Sequence, residues 1–140
     1  MTDEFRRYRR WFYAAAVYNI AWGGAVILFP RVLLEMAGIS EPGAVPLAQV
    51  IGMMVGVYAY GYYLLAREPL RYCGLIWIAL AGKTLGPVGY IYSAVTGVLP
   101  WAFGWVCLFN DVIWWPVFWA FALKYGGARV EVSPYEKKAG

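Results

Sequence analysis

The sequence predicts an all-α integral membrane protein: a four-transmembrane-helix bundle with an outer interfacial segment between helices 1 and 2. Three observations lead there. The chain is 62% hydrophobic and 14% charged, whereas a soluble domain sits near half apolar and a quarter charged. Its apolar residues gather into four runs, each long enough to cross a hydrocarbon core of about 30 Å. Its charges fall almost entirely between those runs and at the two ends.

The first ten residues are polar and basic, with Arg6, Arg7, Arg9 and Arg10 ahead of the first run. Such a segment resembles the n-region of a signal peptide. The run behind it is too long for one and has no small-residue cleavage site, so an uncleaved first helix is expected. That first span covers residues 11–29 and ends at Pro30, which cannot continue a helix. Ala15, Asn19 and Gly23 recur every four residues, a lane narrow enough for a second helix to approach closely. Asn19 is expected to bond across that lane, with a ligand contact as the sharper alternative.

Residues 31–45 form the longest connection. The RVLLEMAG stretch suits about two turns of helix in the interface, with Leu33 and Leu34 toward lipid. Gly38, Pro42 and Gly43 then turn the chain. The second span, residues 46–66, opens on Pro46, where a helix tolerates proline. Gly52 and Gly56 have the GxxxG spacing that lets backbones touch in lipid. Gln49 continues that face outward, and Tyr60 and Tyr63 continue it inward. A packing face and a polar lane lining a cavity both fit this pattern.

After a tight turn at residues 67–71, the third span covers residues 72–92. It contains the segment GKTLGPVG, with Lys83, Thr84 and Pro87 among Gly82, Gly86 and Gly89. The fourth span covers residues 102–123 and carries Asn110 and Asp111 near its middle, with Pro116 beyond them. Residues 1–125 thus read as one membrane domain, and residues 126–140 as a short cytoplasmic tail.

Arginine and lysine placement orients the bundle. With the N-terminus inside, the inner face collects Arg6, Arg7, Arg9, Arg10, Arg67, Arg71, Lys124, Arg129, Lys137 and Lys138. The outer face receives only Arg31. Positive residues concentrate on the cytoplasmic side, so both termini are expected there. The same placement explains the net charge of +4 without nucleic acid, since these charges flank membrane spans rather than pattern one folded face.

Lys83 and Asp111 carry the chemistry. At the helical rise, Lys83 lies roughly 16 Å from the inner end of the third span, and Asp111 roughly 18 Å from that of the fourth. Consecutive antiparallel spans joined by a short turn are neighbours, so the two charges are expected at nearly one depth. Each alone costs about 2.5–3.5 kcal/mol at a membrane helix centre, and facing each other they offset part of that. Pro87 cannot donate to the Lys83 carbonyl, and Pro116 likewise frees the Val112 carbonyl, so both are expected flexing points. Freed carbonyls at membrane depth need partners from neighbouring helices or water. Asn19, Thr84, Asn110 and the tyrosines of the second span complete the polar candidates. Two accounts stay open: an ion pair fixing helix register, or a site for an ion, proton or small polar ligand.

The motifs GKxxGPxG, PWxFGWxxxxNDxIWWPxF and YNxAWG resemble a family of small bacterial four-span membrane proteins of unestablished function, over nearly the whole chain to about Tyr125. The resemblance implies the bacterial inner (cytoplasmic) membrane and points to Asn19, Lys83, Pro87, Asn110 and Asp111. In architecture the chain distantly resembles the DoxX-like group, some of whose members accompany quinone-linked redox enzymes.

Histidine is absent, so no haem or zinc site is expected and the commonest general base is missing. Cys73 and Cys107 lie at different depths, which argues against a disulfide. No redox, flavin or nucleotide motif is present, and the cofactor is left unknown. A transporter centred on Lys83 and Asp111 is expected. Four short helices enclose little volume, so it would need a homo-oligomer, with the glycine faces available for that contact. The alternative is a non-catalytic subunit or hydrophobic-ligand module of a larger membrane complex, with quinone, carotenoid or lipid against Trp114 and Trp115. An enzyme using Asp111 as acid or base is the weakest reading.

Overall fold

The computed structural model describes residues 3–127. Residues 128–140, which hold most of the expected cytoplasmic tail with Arg129, Lys137 and Lys138, lie outside the described residues. Among the described residues all regular structure is helical. Four helical segments are long and apolar enough to cross a membrane.

Helix α1 runs Asp3–Leu28 and begins eight residues ahead of the expected span. Asp3 and Glu4 occupy its first turn, where carboxylates favour the positive end of the helix dipole. The early start has a packing reason. Tyr8 and Phe12, four residues apart, lie on one helical face and both are buried. Their rings meet Phe121 at 5.3 and 4.9 Å.

Pro30 does more than end α1, because it opens the short helix α2, Pro30–Met36. Its fixed φ and missing N–H suit a first turn. Gly38, at φ 74°, closes α2. Gly38 N–H bonds the Glu35 carbonyl and Ile39 N–H the Leu34 carbonyl, a left-handed C-terminal cap that favours glycine. Leu33 and Leu34 are half-buried rather than turned fully outward, and Val32 and Met36 take the exposed positions.

Helix α3, Ala44–Arg67, packs along α1. A Cβ added at Gly23 would lie 2.6 Å from the Gly52 carbonyl oxygen and 3.1 Å from the Gly56 nitrogen. The two small-residue lanes therefore meet each other within one chain, as a small-residue face allows. The Gly23 and Gly52 surfaces are thus occupied within one chain, whereas a Cβ added at Gly56 would meet nothing within 4 Å. Asn19 donates to the Val55 carbonyl at 3.2 Å and Gln49 to the Ile27 carbonyl at 3.1 Å, which stitches the same seam. Tyr60 and Tyr63 do not continue it, for both are exposed. Tyr62 turns inward instead.

Helix α4, Leu75–Val95, stays continuous through Pro87. Gly97, at φ 76°, caps it with bonds from Gly97 N–H to Ala94 and from Val98 N–H to Ser93. The expected fourth span is not one helix. It comprises a 3-10 turn at Trp101–Phe103, helix α5 at Gly104–Asn110, a second 3-10 turn at Val112–Trp114, and helix α6 at Trp115–Tyr125. The break falls on Asp111, at φ −121° and ψ −60°. Pro116 is not the flexing point, because it sits in the first turn of α6, where its missing N–H costs nothing. Nor is the Val112 carbonyl freed, since the 3-10 turn brings it the Trp115 N–H.

The core is concentrated toward the end of the bundle where α1 begins and α6 ends. Phe12, Tyr62, Leu65, Ile76, Phe118 and Phe121 are its largest fully buried apolar side chains. Lys124 bonds Glu4 at 2.6 Å, Arg9 donates to the Ala66 carbonyl at 2.7 Å, and Trp77 to the Gly126 carbonyl at 3.0 Å. These contacts draw the start of α1 and the ends of α3 and α6 together. Cys73 and Cys107 are both buried.

Candidate functional site: a buried ion pair between two broken backbones

Two helix irregularities face each other between α4 and the α5–α6 segment, and each is mended by a side chain of the other. In an unbroken helix the Asn110 carbonyl would accept the Trp114 N–H. That N–H turns instead to the Asp111 carbonyl at 3.2 Å. The Lys83 ammonium takes its place and donates to the Asn110 carbonyl. On α4, Pro87 leaves the Lys83 carbonyl without its helical donor. The Trp115 indole N–H fills that position at 3.1 Å. The expectation that the Lys83 carbonyl needs a partner is met, by a residue first assigned to a ligand.

Lys83 Nζ lies 3.4 Å from Asp111 Oδ1, and the side chains are only 6% and 11% exposed. Asn110 donates its amide to the same Oδ1 at 2.8 Å. The pair thus forms as the depth arithmetic predicts. A low-dielectric site strengthens it, but desolvation opposes that gain. Oδ1 carries both contacts, and Oδ2 carries none. Beside Oδ2 stands Gly86, where an added Cβ would lie 3.2 Å away. Glycine there makes room for the carboxylate rather than for a neighbouring backbone. Gly82 plays a different part, admitting the Tyr58 ring, 3.2 Å from where a Cβ would stand.

Several buried polar atoms around this cluster have no hydrogen-bond partner: Asn110 Oδ1, Trp114 Nε1, Tyr62 OH and Asn19 Oδ1. Trp114, Tyr62 and Asn19 are 5%, 2% and 2% exposed. Buried polar groups are nearly always bonded, so these atoms set this region apart from the rest of the core. Trp114 lies in the turn beginning at Asp111 and packs on Tyr18 and Phe118, with ring centres 5.4 and 6.3 Å apart. Tyr62 packs on the same Phe118 at 5.3 Å.

The other candidates divide. Asn19 belongs to the α1–α3 seam and makes no hydrogen bond to the ion pair. Thr84 is half-buried and makes no hydrogen bond to the ion pair either. Trp114 is core, edge-on to Trp11 at 6.1 Å, and Trp115 is occupied by the Lys83 carbonyl. The sequence does not single out Tyr62 among the tyrosines of the second span. Its neighbours Tyr60 and Tyr63 are equally aromatic, and only the rotation of α3 about its axis tells them apart. Two shallow concavities of about 340 and 260 Å³ lie elsewhere, at the α1–α2 bend and at the Pro69 turn, and touch no residue of the ion-pair cluster. No family model matches the sequence, and no curated protein or solved structure matches it.

Proposed function

We propose that this chain spans a bacterial inner membrane with both termini in the cytoplasm, and that its Lys83–Asp111 centre binds a proton or small polar ligand for transport. The four long apolar helices support insertion. Only 11% of the most apolar stretch of α3 is buried within the chain, so its outward surface needs an apolar solvent. The drawing together of Glu4 and Lys124 supports termini on one side, and the basic residues at that end support the cytoplasmic side.

One observation carries the binding reading. The ion pair is built, yet Asp111 Oδ2, Asn110 Oδ1 and Trp114 Nε1 are left without partners around it. A pair serving only helix register gains from full satisfaction, and intramembrane ionisable groups otherwise mark ion and proton pathways. Protonation of Asp111 would release the Lys83 ammonium, which keeps its Asn110 carbonyl. The pair therefore has two states that differ by one proton. Four short helices enclose little space, so transport would run in a homo-oligomer, through surfaces other than the Gly23–Gly52 seam.

Proteoliposomes with a trapped pH-sensitive dye test this under an imposed potential. Wild-type protein should dissipate the gradient faster than empty liposomes, and Asp111→Asn and Lys83→Met should return the rate to the empty-liposome level. Equal rates for wild type, both variants and protein-free liposomes would refute it.

A further inference from the structure

Lys83, Gly86 and Tyr90 stand at i, i+3 and i+7 on α4 and therefore share one face. All three meet the α5–α6 segment. At Lys83 the helices are tied by the Asn110 and Trp115 contacts. At Tyr90 they are tied again, since its hydroxyl donates to the Trp101 carbonyl at 2.9 Å and lies where a Cβ on Gly104 would stand. Between these ties is Gly86, which has no side chain and is exposed on the outside of the bundle. Directly behind it, 3.2 Å from where a Cβ would be, is Asp111 Oδ2. Oδ2 has no hydrogen-bond partner, in a residue whose side chain is nearly nine-tenths buried. The Asp111 side chain keeps 11% of its surface exposed. Leu85 and Val88, on the same helix, are exposed. The result is a notch in an apolar wall with one carboxylate oxygen at its base, at the middle of α4.

We propose that this notch is a lateral binding site, resting on the reading of Lys83–Asp111 as a binding centre: Asp111 Oδ2 accepts a hydrogen bond from the hydroxyl head of a membrane-dissolved amphiphile that approaches between α4 and α5. The chemistry selects the class. Oδ2 is an acceptor and needs a donor. Lys83 already supplies the positive charge, so a neutral hydroxyl completes the site without adding a third charge to a low-dielectric region. The exposed apolar residues of α4, Leu85 and Val88 among them, suit an alkyl or aryl tail lying along the bundle.

A hydrophobic carbodiimide tests access in proteoliposomes. The protonated Asp111 carboxyl would add across the reagent: its oxygen bonds the central carbon, its proton passes to a nitrogen, and rearrangement gives a stable N-acylurea with no leaving group. Intact-protein and peptide mass spectrometry should find one reagent added at Asp111. A membrane-impermeant, water-soluble carbodiimide should not label it. Gly86→Val should cut labelling about tenfold, while Gly89→Val, where a Cβ meets open space, should leave it unchanged and controls for folding. A long-chain alkylphenol should slow labelling, and the alkylbenzene of equal length should not.

Labelling by the water-soluble reagent alone, labelling unaffected by Gly86→Val, or equal protection by the two alkyl compounds would each overturn the lateral site. The proton-flux assay stands apart from these outcomes. Loss of flux in Asp111→Asn together with absent labelling refutes only the lateral site. Normal flux in Asp111→Asn refutes the transport reading whatever the labelling shows.

Discussion

Lys83→Met and Asp111→Asn, made singly and together, test whether the buried charges hold each other in place. Nζ and Oδ1 are 3.4 Å apart with side chains 6% and 11% exposed. Lys83→Met leaves the carboxylate with the Asn110 amide alone and strips the Asn110 carbonyl of its donor. Removing one partner of a buried pair costs about 3–5 kcal/mol. The insertion cost of a lone charge at a membrane helix centre, about 2.5–3.5 kcal/mol, is an independent measure of similar size. Lys83→Met should therefore destabilise by about 3 kcal/mol. Asp111→Asn should cost about 2 kcal/mol, since the ammonium keeps the Asn110 carbonyl but loses a charged acceptor. In the double variant no charge remains, and the main cost is the open Asn110 carbonyl, about 1–3 kcal/mol. The double variant should then be more stable than the summed singles imply, by about 2 kcal/mol or more. Reversible unfolding in mixed micelles, followed by tryptophan fluorescence, measures all three. Additivity within about 0.5 kcal/mol would refute the coupling.

Trp115→Phe should cost about 1–3 kcal/mol, because it strands the carbonyl that Pro87 has already deprived of its donor. Pro87→Ala restores an N–H there and should recover much of that loss in the same unfolding assay. Gly23→Val should destabilise by about 1–3 kcal/mol, since the new Cβ meets backbone atoms of Gly52 and Gly56 that cannot rotate away. Gly24→Val, facing open space, should change little beyond helix propensity. Gly97→Ala should cost about 1 kcal/mol through its left-handed φ, seen as earlier melting of the α4 end in hydrogen exchange.

Part of the site was legible in the residues. Lys83 and Asp111 had to lie at one level because helical rise converts sequence distance into depth, and a short connection makes consecutive helices neighbours. Pro87 announced a carbonyl in need of a donor. The donor itself was not legible. Trp114 and Trp115 are adjacent and chemically identical, yet one packs in the core and the other bonds the Lys83 carbonyl. Their separation of about 100° around a helix is all that distinguishes them, and packing sets the zero of that angle. Asp111 as the breaking point was equally hidden, since Pro116 looked the stronger breaker. Proline in a first turn is harmless, and where the turn begins depends on what can accept the freed carbonyl.

The sequence by itself therefore determined the number of long apolar helical segments, their approximate limits and the matched level of the charged pair along them. Each follows from quantities that run along the chain: hydropathy, helical rise and the positions of charge. Only the tertiary structure decided how the helices are rotated against one another. That rotation spends Gly23 and Gly52 on an internal seam, sets Lys83 into the break at Asp111, and places Oδ2 beside Gly86. The physical reason is that rotation about a helix axis is fixed by contacts between distant residues, which leave no local trace in the sequence.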